Sequence, residues 1–440
     1  KLTKVPLESS GQKILTRSEG GNVLKITSEG ADTEYADWQT AMEALKSGDE
    51  ITLLSKVILY EASGDKMPDK SCTINGDGKT LEFNTNGFAG SCSLQEDVIF
   101  KNIHLEAEAI TANGKKVVFD SGVTVKDNCD VYGGGELGTD VETTSITIKD
   151  GATLKTVYGG GYAGKVTGNT NIVVDGGTVT TIFGGGYNSE AIVERNTNIT
   201  INNATSISTV YGGGDNAPVD GTANLTISDG NVGNNNSIFG GGNKAGATCG
   251  NTNVILSGGT INAWVFGGGN ESLVSGTAKV SLQGSIINKN LYGGGRLASA
   301  TCQNTDVQVS SGSLANLYGG GENGPVIGES KLTIDGSASA SWTFGGCYKA
   351  DCGSTDVTLN TTGTITGGLY GGCRTGSSNT SRVNIKQGTV TDLIYGGGEQ
   401  EASVVTGDTY VTMDGGSCIG VYGGGWQGQV NGTTHVLVNG

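Results

Sequence analysis

The chain lacks most of what would mark it as a compact enzyme or a membrane protein. It has only 4 prolines among 440 residues, beside 78 glycines with no triplet period. That excludes a collagen helix and a proline-rich disordered linker. Its 2 histidines, His104 and His435, stand far apart and suggest no Ser-His-Asp or His-metal arrangement. No run of 18 apolar residues exists, so no segment is expected to insert into a membrane. Basic residues are few, 27 against 43 acidic, for a net charge of −16. An acidic surface repels phosphate backbones, so nucleic acid is not an expected partner. The 9 cysteines form no CxxC and no Cys/His zinc spacing. They read as small buried thiols with at most one bridged pair, and no metal or cofactor is expected.

What the chain has is a repeat. An aromatic residue precedes a glycine run at Tyr132, Tyr158, Phe183, Tyr211, Phe239, Phe266, Tyr292, Tyr318, Phe344, Tyr370, Tyr395 and Tyr422. Successive copies are 25 to 28 residues apart. Ten are followed by three glycines, whereas Phe344 and Tyr370 are followed by Gly-Gly-Cys. A fixed period of this length means an architecture in which each unit stacks on its neighbours.

Between glycine runs, short segments alternate with period two, as in Thr170-Asn171-Ile172-Val173-Val174. A small residue, then two apolar ones, point to the core, while a polar column containing Asn171, Asn198, Asn224 and Asn253 points out. Asp-Gly, Ser-Gly or Gly-Gly marks the following turn. No helical periodicity interrupts this region. Three short strands per repeat predict an all-β, right-handed parallel β-helix, a solenoid of about 12 regular rungs of ~26 residues. At about 4.8 Å per rung, these make a rod of roughly 55 to 60 Å.

The first 130 residues differ. Asp37 is the expected N-cap of a short helix bearing Trp38, Ala41, Met42 and Leu45 on one face, with Gly48 just past its end. The expected organisation is a linker or edge strand over 1–30, a capping helix with about four irregular rungs over 31–130, and regular rungs over 131–440 of the same domain. The far end reads as uncapped inside an unfinished repeat, which suggests a fragment of a longer chain, monomeric as a rod.

The segment from Asp37 to Leu53, DWQTAMEALKSGDEITL, resembles the helix-then-strand entry of pectin-lyase-like right-handed β-helices. The glycine-rich rungs resemble those of large bacterial cell-surface proteins, often described as adhesins, built on that fold. The resemblance implies an extracellular, cell-surface or secreted location. It also admits polysaccharide lyases and glycoside hydrolases, so the fold does not settle the activity.

The chemistry-bearing residues favour binding over catalysis. The glycine runs open no helix and lack a following Gly-Lys-Ser/Thr, so they are no phosphate loop. They read as corners that need either positive φ or close rung-to-rung approach. The twelve aromatics read as a stacked structural ladder. Acidic residues fall in turns or variable loops, with no cluster assignable to one face for a lyase or glycosidase. No catalytic residue is assigned. The residue after each glycine run varies freely, and its aromatic members Tyr162, Tyr187, Tyr348 and Trp426 are the candidate contacts for a glycan or an extracellular protein. Tyr162 and Tyr187 are expected on consecutive rungs. Cys347 and Cys373 replace the third glycine on adjacent rungs and are expected either bridged or in contact. Cys249, Cys302 and Cys352 share another column at two-rung intervals, too far apart to pair.

Overall fold

The period-two segments pair in parallel, each with its counterpart one repeat away. Thr144–Lys149 pairs with Thr170–Asp175, which pairs with Thr197–Ile201, and this register continues to Thr434–Val438. The computed structural model describes residues 21–61, 64–85 and 88–439. In it the chain winds into an all-β, right-handed parallel β-solenoid of about 15 turns. Residues 1–20 of the expected N-terminal linker lie outside the described residues.

Each regular rung has a long side and two short ones. In one rung, Thr170–Asp175 forms the long side, Gly176 and Gly177 turn the chain, and Thr178–Phe183 supplies the rest. Inward residues stack on their own kind: Ile172 and Ile199 pair across one rung, Val254 and Val280 across another, all at most 1 % exposed. Burying like on like keeps the register, because a slip of one residue would turn every apolar side chain outward.

The N-terminal end departs from parallel pairing. Leu24–Ser28 runs antiparallel to both Ala31–Tyr35 and Glu50–Leu53, and Glu50–Leu53 then starts the parallel stack on Cys72–Thr85. The helix Trp38–Ala44 covers this first rung. Asp37 caps it by accepting the Thr40 backbone N–H at 2.8 Å, and Trp38 and Ala41 are buried beneath it. Among the described residues this is the one α-helix, and no helix is long and apolar enough to cross a membrane.

The glycine corners answer the choice that the sequence left open. None of the glycines in these runs has positive φ. They are needed because successive corners touch. A Cβ on Gly160 would lie 2.6 Å from the backbone nitrogen of Gly186 and 2.8 Å from its Cα. From inside, the small-residue column ties the same corner: the Thr170 hydroxyl donates to the Gly184 carbonyl at 2.7 Å, and Thr197 to Gly212 at 2.6 Å.

This packing predicts that Gly160→Ala lowers unfolding stability by about 1–3 kcal/mol in a denaturant titration, as overpacking does. The equivalent Gly424→Ala meets nothing within 4 Å. It should stay within about 0.5 kcal/mol of the parent. Equal effects at the two sites would show that rung contact does not impose the glycine.

Candidate functional site

The last strand of each rung ends on an inward residue followed by the ladder aromatic, as in Val157-Tyr158 and Ile182-Phe183. Alternation therefore sends the ladder ring away from the main core, onto the outer face of this side. All twelve rings stack, with neighbouring centroids 4.7 to 5.4 Å apart. Offset stacking of this kind adds about 0.5–1.5 kcal/mol per pair beyond burial.

Although it faces outward, most of the ladder is buried, and at four rungs the residue after the glycine run folds back over it. Tyr162 sits edge-on to Tyr132 at 5.6 Å, Tyr187 to Tyr158 at 5.6 Å, Tyr348 to Tyr318 at 5.5 Å and Trp426 to Tyr395 at 6.0 Å. Each covering ring lies on the ladder member one rung before its own. Tyr162 and Tyr187 also stack on each other at 5.2 Å. Tyr162 and Trp426 are exposed, at 44 % and 60 %, whereas Tyr187 and Tyr348 are half-buried.

The rest of this column pairs along the rod. Asn243 donates to Asp215 at 2.7 Å and Asn270 to Asn243 at 3.0 Å. Arg374 lies over the Tyr348 ring at 4.9 Å and reaches Glu399 at 2.7 Å. Variation in the column is therefore matched between neighbours, which makes it a covering layer as well as a surface.

A second outward column, mostly half-buried, flanks the ladder on its other side, two residues before each ring. It carries Trp264 and Trp342, each 38 % exposed. They are three rungs apart, about 15 Å at the spacing of stacked strands. Lys289 lies over Trp264 at 5.1 Å. Sequence reasoning passed over both tryptophans. The signal was available, since two residues before an outward aromatic is again outward.

The described residues also contain a deep cluster of thiols. Cys347, Cys352 and Cys373 are buried, and their three sulfurs lie within 4.8 Å of one another. Cys347 and Cys352 Sγ are 2.8 Å apart. Cys352 belongs to a buried column that reads Cys249, Val274, Cys302, Val326, Cys352 by register. Cys249 and Cys302 are each too far from Cys352 to join it. The spacing argument placed Cys352 correctly in its column but missed the contact inside its own rung. There the short loop Tyr348 to Asp351 folds back, so Cys352 returns beside Cys347. Hydrogen bonds from Cys347 and Cys352 pull the Cys373 thiol well below its ordinary range, while burial pushes the other two up.

Carboxylates gather only loosely. A depression of about 990 Å³ on the N-terminal rungs is bordered by Glu61, Asp65, Lys66, Glu108 and Glu136. Asp65 already accepts from Gln39 and from the Tyr60 backbone N–H, and Glu108 pairs with Lys126 at 2.6 Å. His104 bonds Thr124 and Glu106, whereas His435 stacks on Tyr410, so the two imidazoles share no site.

No protein-family model, curated protein or solved structure matches this chain.

The covered ladder carries a pH prediction. Burial pushes the Tyr211 and Tyr292 phenols up to about 12. An unfolded tyrosine ionises near pH 10. A raised folded value means that stability is fully present below the unfolded value and is lost as pH climbs from about 10 to about 12. Alkaline titration should show tyrosinate absorbance appearing together with loss of β circular dichroism. Tyr211 and Tyr292 ionising near pH 10 in the folded rod would contradict the burial of these rings.

Proposed function

We propose that the chain is a non-catalytic module of an extracellular, cell-surface or secreted bacterial protein. It acts as an adhesin or rigid stalk that makes multivalent contacts with glycan or protein ligands. The observation that carries this reading is the aromatic face of the rod. Trp264, Trp342, Tyr162 and Trp426 stand partly exposed on a side whose floor is rigidly stacked, and the strand spacing sets their separations. Exposed tryptophan and tyrosine offer large contact area at little entropic cost, and they stack on sugar rings or peptide side chains. Several weak contacts on one stiff body add by effective concentration, provided that the ligand repeats on a matching length. The acidic surface agrees with a partner that is not polyanionic.

The N-terminal depression favours one other reading, a carbohydrate-active lyase or hydrolase acting between Glu108 and Glu136. The partners already held by Asp65 and Glu108 weigh against it.

A screen of glycans and extracellular-matrix proteins, run beside a polysaccharide-degradation assay, separates the two. For a ligand found in the screen, Trp264→Ala with Trp342→Ala should weaken binding about tenfold or more, roughly 1.4 kcal/mol. Tyr162→Ala with Tyr187→Ala tests the other edge and should also lower thermal stability, since these rings cover Tyr132 and Tyr158. Binding unaltered by both double changes would remove this face from consideration. Oligosaccharide release that Glu108→Gln or Glu136→Gln abolishes would establish the catalytic reading instead.

A further inference from the structure

Along the rod, the gap above the second glycine of a corner is open because that glycine has no Cβ. Where a cysteine fills it from the valine column, one sulfur enters: Cys249 lies over Gly213 and Cys302 over Gly268. Above Gly320 the gap receives two, from Cys347 and Cys352, and Cys373 fills the next gap above Gly346. Three sulfurs thus converge at one place in an otherwise regular stack.

At 2.8 Å, Cys347 and Cys352 are closer than two unbonded thiols rest, so the pair must either close into a disulfide or open around a shared ion. A disulfide would use two of the three sulfurs and leave the third without a role. An ion uses all three. Backbone N–H groups of Gly321 and Cys347 donate to Cys347 Sγ and Cys373 Sγ, each at 3.3 Å, while the two thiols face the carbonyls of Asp351 and Ser377 at 3.5 Å. The hydroxyl of Ser378, five residues after Cys373 as Cys352 is after Cys347, is buried without a hydrogen-bond partner. No histidine or carboxylate joins the group among the described residues.

We propose that Cys347, Cys352 and Cys373 form a three-thiolate site for a soft monovalent metal ion, Cu(I). Thiolate donors select soft ions, and structural zinc completes a tetrahedron with a fourth ligand that this buried group does not supply. With metal–sulfur bonds of about 2.3 Å, a trigonal ion would hold its sulfurs about 4.0 Å apart, within the 4.8 Å that bounds the cluster once the Cys347–Cys352 pair opens from 2.8 Å. The ion enters as Cu(I), so no electron is transferred. Each thiol that becomes a ligand releases its proton to solvent.

The test uses the full chain, reduced and free of oxygen, with Cu(I) supplied in competition with a coloured Cu(I) chelator. One ion should remain per chain by native mass spectrometry, with a thiolate-to-copper absorption band. Cys347→Gly and Cys373→Gly restore the residue found at this place in ten other rungs, so both should fold. Each should weaken copper retention at least tenfold. Cys302→Val, which extends the valine column, should retain copper like the parent. No copper held by the folded reduced chain, or undiminished retention in Cys373→Gly, would overturn the proposal. So would Zn²⁺ bound as tightly as Cu(I), or a Cys347–Cys352 disulfide that survives the reductant in peptide mapping.

Discussion

Everything regular in this rod depends on backbone meeting backbone at the glycine corners. The Gly159 N–H donates to the Phe183 carbonyl at 2.8 Å and the Gly160 N–H to the Gly185 carbonyl at 3.0 Å, and the same pattern recurs rung after rung. Parallel strands can stack at β spacing around a sharp bend only if no side chain stands between the bends. Once the corners touch, two other columns come into place. The threonine hydroxyls reach the corner carbonyls from within, which satisfies acceptors that a tight buried turn would otherwise strand. The aromatic rings, one residue before the corner, are brought to stacking distance without.

The rod therefore has two interiors. The first is the aliphatic core of isoleucine, valine and leucine. The second is the aromatic ladder, outside the strands but covered by the loop column. Its cover is matched in chemistry from rung to rung, ring on ring at Tyr162 and Tyr187, amide on carboxylate at Asn243 and Asp215, guanidinium between ring and carboxylate at Arg374. A substitution in this column changes the protection of a ring as well as the surface. Trp264 and Trp342 stand at the other flank of the ladder, where Trp342 stacks against Tyr370 at 6.3 Å and both remain 38 % exposed.

Much of this was legible in the sequence because a repeat repeats its physics. The spacing from Tyr132 to Tyr422 gave the rung length, and the alternation at Thr170, Ile172 and Val174 gave the inward face. Asp37 gave the helix start. Legibility failed where contact depends on how a loop returns. Nothing in a column alignment brings Cys352 to Cys347, since they occupy different columns and meet only because four loop residues close on themselves. The antiparallel pairing of Leu24–Ser28 escaped for a related reason: it occurs once, and no periodicity announces it. The loop cover of the ladder escaped too, because variable residues after a glycine run look merely solvated.

A solenoid of this kind separates stability from specificity by position. The repeated columns are bound by their neighbours above and below, so a new side chain there must suit two rungs at once. Chemistry can then be introduced only where the pattern tolerates a departure. Two such departures stand out, cysteine for the third glycine at positions 347 and 373, and tryptophan in an outward column that elsewhere holds mostly small or amide residues such as Thr156, Ser237 and Asn316, with Asp130 and Leu393 as further exceptions. The cysteines use a space that the missing Cβ of the preceding corner leaves open. The tryptophans use the flank of a ladder already rigid beneath them. Both therefore draw on the same constraint that built the rod, and neither disturbs it.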